Sequence, residues 1–120
     1  MTNVLVVRAN NRPDGISTKM YETFIAEAQT VEGLNVSTFD VFEENLAYFG
    51  QELFNAFGKL QNGEALTAAE QASFDSMNKA RAALDAAEVV VFAFPLWNQT
   101  IPAALQSFID YTYGAGYSFK

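Results

Sequence analysis

The chain contains neither cysteine nor histidine. Without cysteine there are no disulfides, no thiolate nucleophile and no cysteine-ligated metal. Without histidine the commonest general base and metal ligand are missing, and a Ser-His-Asp triad is impossible. Chemistry has to come from carboxylates, hydroxyls or a bound cofactor. Positive charge is scarce too: seven Lys and Arg stand against fourteen Asp and Glu, for a net charge of −7. Nucleic acid demands a basic footprint and is not an expected partner; an anionic membrane surface is disfavoured for the same reason. No apolar run reaches the length of a membrane span. The first residues, Met1 to Arg8, enter a strand with neither a basic n-region nor a long h-region, so they do not read as a signal peptide. A cytoplasmic location is expected.

What the chain does have is apolar and aromatic mass. Half of its 120 residues are hydrophobic, with eleven Phe and five Tyr. That suffices for one packed domain over 1–120 and excludes disorder. Val4 to Val7 is a continuous apolar run, suited to a parallel strand buried on both faces. Arg8 to Ile16 is rich in turn formers, with Asn10-Asn11 and then Pro13-Asp14-Gly15. Ser17 is placed to N-cap a helix from Thr18 to about Gln29, with Tyr21, Phe24, Ile25 and Ala28 on one apolar stripe. Gly33 closes that unit, and Leu34 to Phe39 alternates as a half-buried strand near an edge.

Residues 40–65 show no clean period; a loop with a short helix around 50–60 is expected. Leu66 to Ala87 reads as a long helix, with Thr67 and Glu70 at capping-box spacing and Phe74, Met77, Ala80 and Leu84 inward. Val89 to Phe94 is a second fully apolar strand. After it, Pro102 is expected in the first turn of a helix whose inner stripe is Ile101, Leu105, Phe108, Ile109 and Thr112. Gly114 and Gly116 end that helix. The β-α-β-α-β-α order predicts a doubly wound parallel sheet.

Two loops carry the candidate chemistry, both at carboxyl ends of strands, where open α/β sheets hold ligands. In the first, Ser17, Thr18 and Lys19 stand at a helix N-terminus, which offers free N–H groups, a hydroxyl and a positive charge to a phosphate. On this loop alone Ser17 reads more readily as a plain helix cap. GxGxxG and GxxxxGK[ST] are both absent, which favours a mononucleotide over a dinucleotide as the resident group. In the second loop, Pro95-Leu96-Trp97-Asn98-Gln99, backbone N–H groups and two amides suit the polar edge of a planar heterocycle, with Trp97 as an apolar wall. Trp97 as a core or interface residue and Asn98 as a turn former fit equally well. In the strand order 2-1-3 the two loops are neighbours at the topological switch point.

The remaining candidates point to structure. Glu43, Glu44, Glu64, Glu70, Asp75, Asp85 and Glu88 are scattered over solvent faces, and Asp14 reads as a turn residue. Asp110 and Tyr111 are expected at the surface or a subunit contact; Tyr113 and Tyr117 are expected to be structural.

The chain resembles the FMN-dependent NADH-azoreductases of the flavodoxin-like quinone reductase superfamily. The carriers are Val4 to Pro13, Ser17 to Glu22, Phe94 to Asn98, Thr100 to Ala103 and Ala115 to Lys120. The run Pro95-Leu96-Trp97-Asn98 with Thr100-Ile101-Pro102-Ala103 is the specific element. The resemblance implies a flavodoxin-like fold, of which the 120 residues hold three strands and lack strands 4 and 5. It implies FMN as a tightly bound cofactor, with Asn10, Ser17, Thr18 and Lys19 on the phosphate side. Leu96, Trp97, Asn98 and Gln99 then run along the isoalloxazine ring. It further implies NADH or NADPH as electron donor, a quinone or azo compound as acceptor in a ping-pong cycle, and a homodimer. No side chain is expected to be catalytic, since the flavin carries the chemistry. Two other readings are kept: an FMN-binding electron-transfer protein, and a non-catalytic interaction module. In the order 2-1-3 the strand from Val89 is an apolar edge, which expects a neighbour.

Overall fold

The computed structural model describes residues 1–119. Its centre is β1, Thr2–Arg8, where Val4 to Val7 are all buried. β2, Leu34–Asp40, pairs with it in parallel from Thr2↔Leu34 to Arg8↔Asp40. β3, Val89–Ala93, pairs on the other side from Val4↔Val89 to Arg8↔Ala93. The sheet order is therefore β2-β1-β3: the sheet is parallel, as the alternating pattern predicts, and its order is the flavodoxin-like one that the resemblance implies. All three strands end level, at Asp40, Arg8 and Ala93, so the loops that follow emerge side by side.

Five helices flank the sheet: α1, Ile16–Ala28; α2, Val41–Glu44; α3, Gln51–Gln61; α4, Ala68–Asp85; and α5, Ala103–Thr112. The core lies on one face. Leu5, Val7 and Phe39 pack there against Leu53, Met77, Ala80, Leu105, Phe108 and Tyr111. Phe39 and Phe108 sit 5.2 Å apart, ring to ring, in a tilted pair. Each such side chain contributes about 1.5–3 kcal/mol by leaving water. On the opposite face Val6 meets α1 through Met20, Tyr21 and Phe24.

α4 starts with the expected capping box. Thr67 Oγ1 accepts from the Glu70 N–H at 3.2 Å, and Glu70 Oε1 accepts from the Thr67 N–H at 2.8 Å. Glu70 Oε1 also accepts from Lys59 Nζ at 2.7 Å, tying α3 to α4. Lys59 first, and then the Thr67 N–H, hold the Glu70 carboxyl below its ordinary value. The illegible stretch resolves into two helices. Asp40 caps α2 by accepting from the Phe42 and Glu43 N–H groups, and Asn45, at φ 50°, stops it. α3 buries Leu53 and Ala56 while leaving Phe54, Phe57 and Leu60 substantially exposed. Apolar residues on both of its faces hide its period.

Several expectations need correction. α1 begins at Ile16, and its N-cap is Gly15, which offers no side chain; Ser17 is thus not the cap but lies in the first turn. Pro102 is itself the N-cap of α5 and not a first-turn residue. Its ring is fully buried, so packing, more than its missing N–H, fixes it there. β3 is not buried on both faces: as an edge strand it leaves Val89 and Phe92 nearly half exposed. Tyr111 is not at the surface but wholly buried. Its hydroxyl donates to the Ala47 carbonyl at 2.8 Å and shares a hydrogen bond with Ser73 Oγ at 2.8 Å. Burial pushes its pKa up.

Tyr117 has the expected structural role. Its hydroxyl donates to Asp85 Oδ1 at 2.7 Å, and the Arg81 guanidinium lies 4.3 Å from its ring centre. Burial, then Asp85, pushes its pKa up to about 12. Tyr113 is exposed and stacks on Phe119 at 4.6 Å. Of the motif residues quoted above, Lys120 alone lies outside those described. Among the described residues, no helix is long and apolar enough to cross a membrane.

Tyr111→Phe removes a hydroxyl that joins the α2–α3 connection to α4 and α5. It should lower stability by about 1–3 kcal/mol, read as a fall in the urea midpoint at constant slope. Glu70 binds protons less readily folded than unfolded, so its contribution is complete above its ordinary value of 4.5 and fades as pH falls through the lowered one. In Glu70→Gln the urea midpoint should therefore fall less steeply with acidification than in the parent; identical slopes would contradict this assignment.

Candidate functional site

The crevice lies between the loops that leave β1 and β3. The Ala9 N–H donates to the Ala93 carbonyl at 2.9 Å, so the first loop starts bonded to the strand that launches the second. Asn10, only 3% exposed, then organises the first loop. Its Nδ2 donates to Ser17 Oγ, and its Oδ1 accepts from the Arg12 N–H at 3.0 Å. Thr18, buried, donates from Oγ1 to the Arg12 carbonyl at 2.7 Å, and the Gly15 N–H reaches the same carbonyl at 3.2 Å. These bonds pull the chain from Asn10 to Thr18 into a tight cradle. A Cβ on Gly15 would stand 2.9 Å from Asn10 Nδ2, so any side chain there would push the Asn10 amide aside.

α1 opens from this cradle. The first helical N–H with an internal partner is that of Lys19, on the Gly15 carbonyl at 3.1 Å. The N–H groups of Ile16, Ser17 and Thr18 make no hydrogen bond among the described residues, as the first turn of a helix requires. Ser17 Oγ accepts from Asn10 and so keeps its own hydrogen to donate. Donors and helix dipole together favour an anion.

The second loop turns back on itself. The Trp97 N–H donates to the Thr100 carbonyl at 2.8 Å, and the Thr100 N–H to the Trp97 carbonyl at 3.1 Å. Asn98 and Gln99 form the two-residue tip, at φ 53° and 67°. Positive φ at both positions is the signature of a type I′ turn, which prefers Asn-Gly. Gln99 therefore holds a left-handed conformation without glycine's freedom. The turn carries Trp97, 39% exposed, whose ring leans on Phe42 at 6.1 Å.

Between the loops is a cleft of about 340 Å³, lined by Asn10, Ser17, Phe94, Pro95 and Trp97 among others. Its only ionic lining residue is Arg12, with no carboxylate. Arg12 and Asp14 form an exposed ion pair at 3.4 Å, of small energetic weight. Behind Trp97 a second cavity, about 480 Å³, is bounded by Val41, Leu46, Tyr48 and Ala104. Trp97 thus forms a partition with an open space on each side.

Of the candidate site residues, Asn10, Ser17 and Trp97 meet in the cleft. Thr18 lies beneath it, spent on Arg12. Lys19 is exposed and lines a shallow depression on α1 with Ile16 and Thr23. Leu96 is exposed, Asn98 borders a depression beside α5, and Gln99 stands exposed at the turn tip. Sequence reasoning passed over Gly15, Phe94 and Pro95 as lining residues. Gly15 had a signal, as the glycine of Pro13-Asp14-Gly15 just ahead of a helix. The cleft offers anion donors and an apolar wall, and no acid–base pair.

A family model described as a flavodoxin-like fold matches residues 2–120. The FMN-dependent NADH:quinone oxidoreductase of Brevibacillus brevis is 43% identical over the whole chain, which covers 59% of that protein. A Bacillus subtilis protein of the same name, numbered 1, is 37% identical at the same coverage. Among solved structures, an azoreductase from Bacillus anthracis matches 97% of the chain with a TM-score of 0.82 and 40% identity; the chain covers 57% of it. An FMN-dependent NADH-azoreductase from the same species, solved in complex with FMN, matches with a TM-score of 0.81 at 21% identity, a likeness of fold. The chain spans less than two thirds of the length of each.

Gln99→Gly converts the turn tip to Asn-Gly. Relief of the left-handed glutamine, less the greater freedom of unfolded glycine, should raise stability by about 0.5–1 kcal/mol. A thermal melt reads the effect, and an unchanged or lower midpoint would show that the tip carries no strain.

Proposed function

The chain belongs to the flavodoxin-like family, and we propose that it works as the FMN-dependent NADH:quinone oxidoreductases and azoreductases do, its cleft holding FMN for that chemistry. The single observation that carries this reading is the meeting of Ser17 and Trp97 in one cleft from loops eighty residues apart in sequence. The N–H groups of Ile16 and Ser17 and the Ser17 hydroxyl supply donors for the phosphate. Arg12 adds positive charge at the rim. Pro95 and Trp97 offer the flat apolar wall that a ring needs.

Bound FMN would supply the redox chemistry, taking a hydride from NADH or NADPH and then passing two electrons, with two protons, to a quinone or azo compound. The chain's own residues hold, orient and shield. Asn10 fixes the direction of the Ser17 hydroxyl, Gly15 keeps Asn10 in place, and Thr18 locks the loop from beneath. Leu96, Asn98 and Gln99 act by shaping the turn that carries Trp97, and Lys19 acts through its charge. Exposed Tyr48, Phe54 and Phe57 support a homodimer as the working unit. The part of the relatives' length that the chain does not span bears on affinity and turnover.

Titration of FMN with the purified chain should quench the flavin fluorescence. NADH should then bleach the flavin absorbance without air, and a quinone should restore it; a carrier without NADH oxidation would bind FMN but fail to bleach. Ser17→Ala should weaken FMN binding by about tenfold, the size of one hydrogen bond to a charged group. Gly15→Ala, which displaces Asn10, should weaken it at least as much. Unchanged flavin fluorescence, or undiminished affinity in both variants, would overturn the assignment.

A further inference from the structure

Trp97 divides two spaces of opposite electrostatic character. The cleft in front of it has Arg12 and the open first turn of α1, which suit an anion. The cavity of about 480 Å³ behind it is lined by no Lys, Arg, Asp or Glu among the described residues. Asn45, Leu46, Tyr48, Ala104 and Ser107 share its wall with Trp97. A wider hollow of about 550 Å³ adjoins it across Tyr48, Ala103 and Ser107, and the one charged side chain lining that hollow is Asp110. Burial first, and then Asp110 and Glu52 by their charge, raise the Tyr111 pKa, so this side of the molecule carries a negative field. Lys79, the cation that reaches toward α2, is spent on Glu44 at 3.1 Å. The cavity is also pre-formed. Its loop wall hangs from Ala47, whose N–H donates to Ser76 Oγ at 2.9 Å and whose carbonyl accepts from the Tyr111 hydroxyl at 2.8 Å. Buried Pro102 fixes the start of α5 on the other side. Asn45 and Tyr48 are exposed, and among the described residues neither side chain takes part in a hydrogen bond.

We propose that the cavity behind Trp97 is a second ligand site, for an uncharged flat aromatic compound, and that it turns anionic analogues of that compound away. Its size is that of a small-molecule site, and its lining is the usual one: mostly apolar, with a few polar groups to orient the guest. Trp97 and Tyr48 offer aromatic contact, and Leu46 and Ala104 an apolar floor. The Asn45 amide and the Ser107 hydroxyl can donate to a carbonyl or azo nitrogen. Ser107 Oγ is only weakly engaged, 3.4 Å from the Ala103 carbonyl, so a guest can take over its hydrogen. A sulfonate or carboxylate would leave water for a space that holds no cation and would meet Asp110 alongside; a charge buried without a partner is strongly penalised. Trp97 therefore sorts by charge, with phosphate in front and a neutral ring behind. That the guest is the electron acceptor rests on the flavin reading above. The lining then narrows the acceptor to uncharged quinones or azo compounds in preference to sulfonated ones.

Trp97 is the only tryptophan of the chain, so its indole N–H gives one NMR resonance that reports on the cavity without flavin. Menadione, an uncharged naphthoquinone, should shift that resonance saturably, and the chain has no thiol for it to alkylate. A naphthoquinone sulfonate should bind at least about tenfold more weakly. Ala103 is exposed at the start of α5 and lines both hollows. Ala103→Leu should fill the space and weaken menadione about tenfold, with FMN affinity at the parent value. Ala103→Lys should raise the affinity of the sulfonate about tenfold, a selective gain that lost packing cannot produce. Circular dichroism checks that both variants fold. No saturable shift with menadione, equal affinity for the two naphthoquinones, or indifference of both to the Ala103 variants would overturn the proposal. FMN is titrated separately by its fluorescence. Menadione that binds where FMN does not would overturn the flavin reading and support the second site.

Discussion

The parallel pairing of β1 with β3 is the constraint on which the site depends. Val4 to Val7 are buried on both faces, and burial on two sides leaves β1 no freedom to slip. A shift of one residue would turn every valine and leucine to the opposite layer. The register Arg8↔Ala93 is therefore fixed by the core and not by the loops. Because it is fixed, Ala9 meets the Ala93 carbonyl, and the two loops start from one point. The cleft is a consequence of valines packed several residues away.

The first loop then illustrates how a small site is built from polar groups that are mostly spent on one another. Asn10 and Thr18 are buried and hydrogen-bonded within the loop. Leaving either unsatisfied would cost about 1–3 kcal/mol, so both hold the backbone in one shape. What remains unspent is the first turn of α1. In such a design the residues that touch a ligand and the residues that make touching possible are different, although they are neighbours in sequence.

That division explains what could be read from the sequence. Element order, the parallel sheet and the Thr67–Glu70 box follow from periodicity and spacing, the strand order and the adjacency of the two loops follow from the resemblance, and all are seen. Ser17 as a cap was misread because Gly15 can cap only with its backbone, leaving serine as the visible candidate. Tyr111 was misread because helix periodicity assigns a face but not the depth of the neighbours. Here Ser73 and the Ala47 carbonyl arrive from distant segments to satisfy its hydroxyl. The region around α3 stayed opaque because Phe54, Phe57 and Leu60 are apolar on its exposed side. Of the second loop, the tryptophan wall was legible, but the turn was not. Asn98-Gln99 lacks the glycine that marks a type I′ hairpin, so nothing in the residue types announced positive φ at both positions.

The same reasoning bears on what the aromatic load is for. A chain without histidine or cysteine has little to offer as acid, base or nucleophile, and its cleft contains no carboxylate. Its means of influencing a bound group are position, polarity and exclusion of water. Trp97 stands between two cavities, held from behind by Phe42 and from below by a closed turn. A planar wall of that kind discriminates by shape: it admits a ring parallel to itself and rejects a saturated chain that cannot lie flat. The left-handed tip keeps the wall short and stiff, since a longer loop would have to lose more conformational entropy on ordering. The left-handed tip at Gln99 and the tilted contact with Phe42 therefore act in the same direction, each narrowing the positions open to the Trp97 ring.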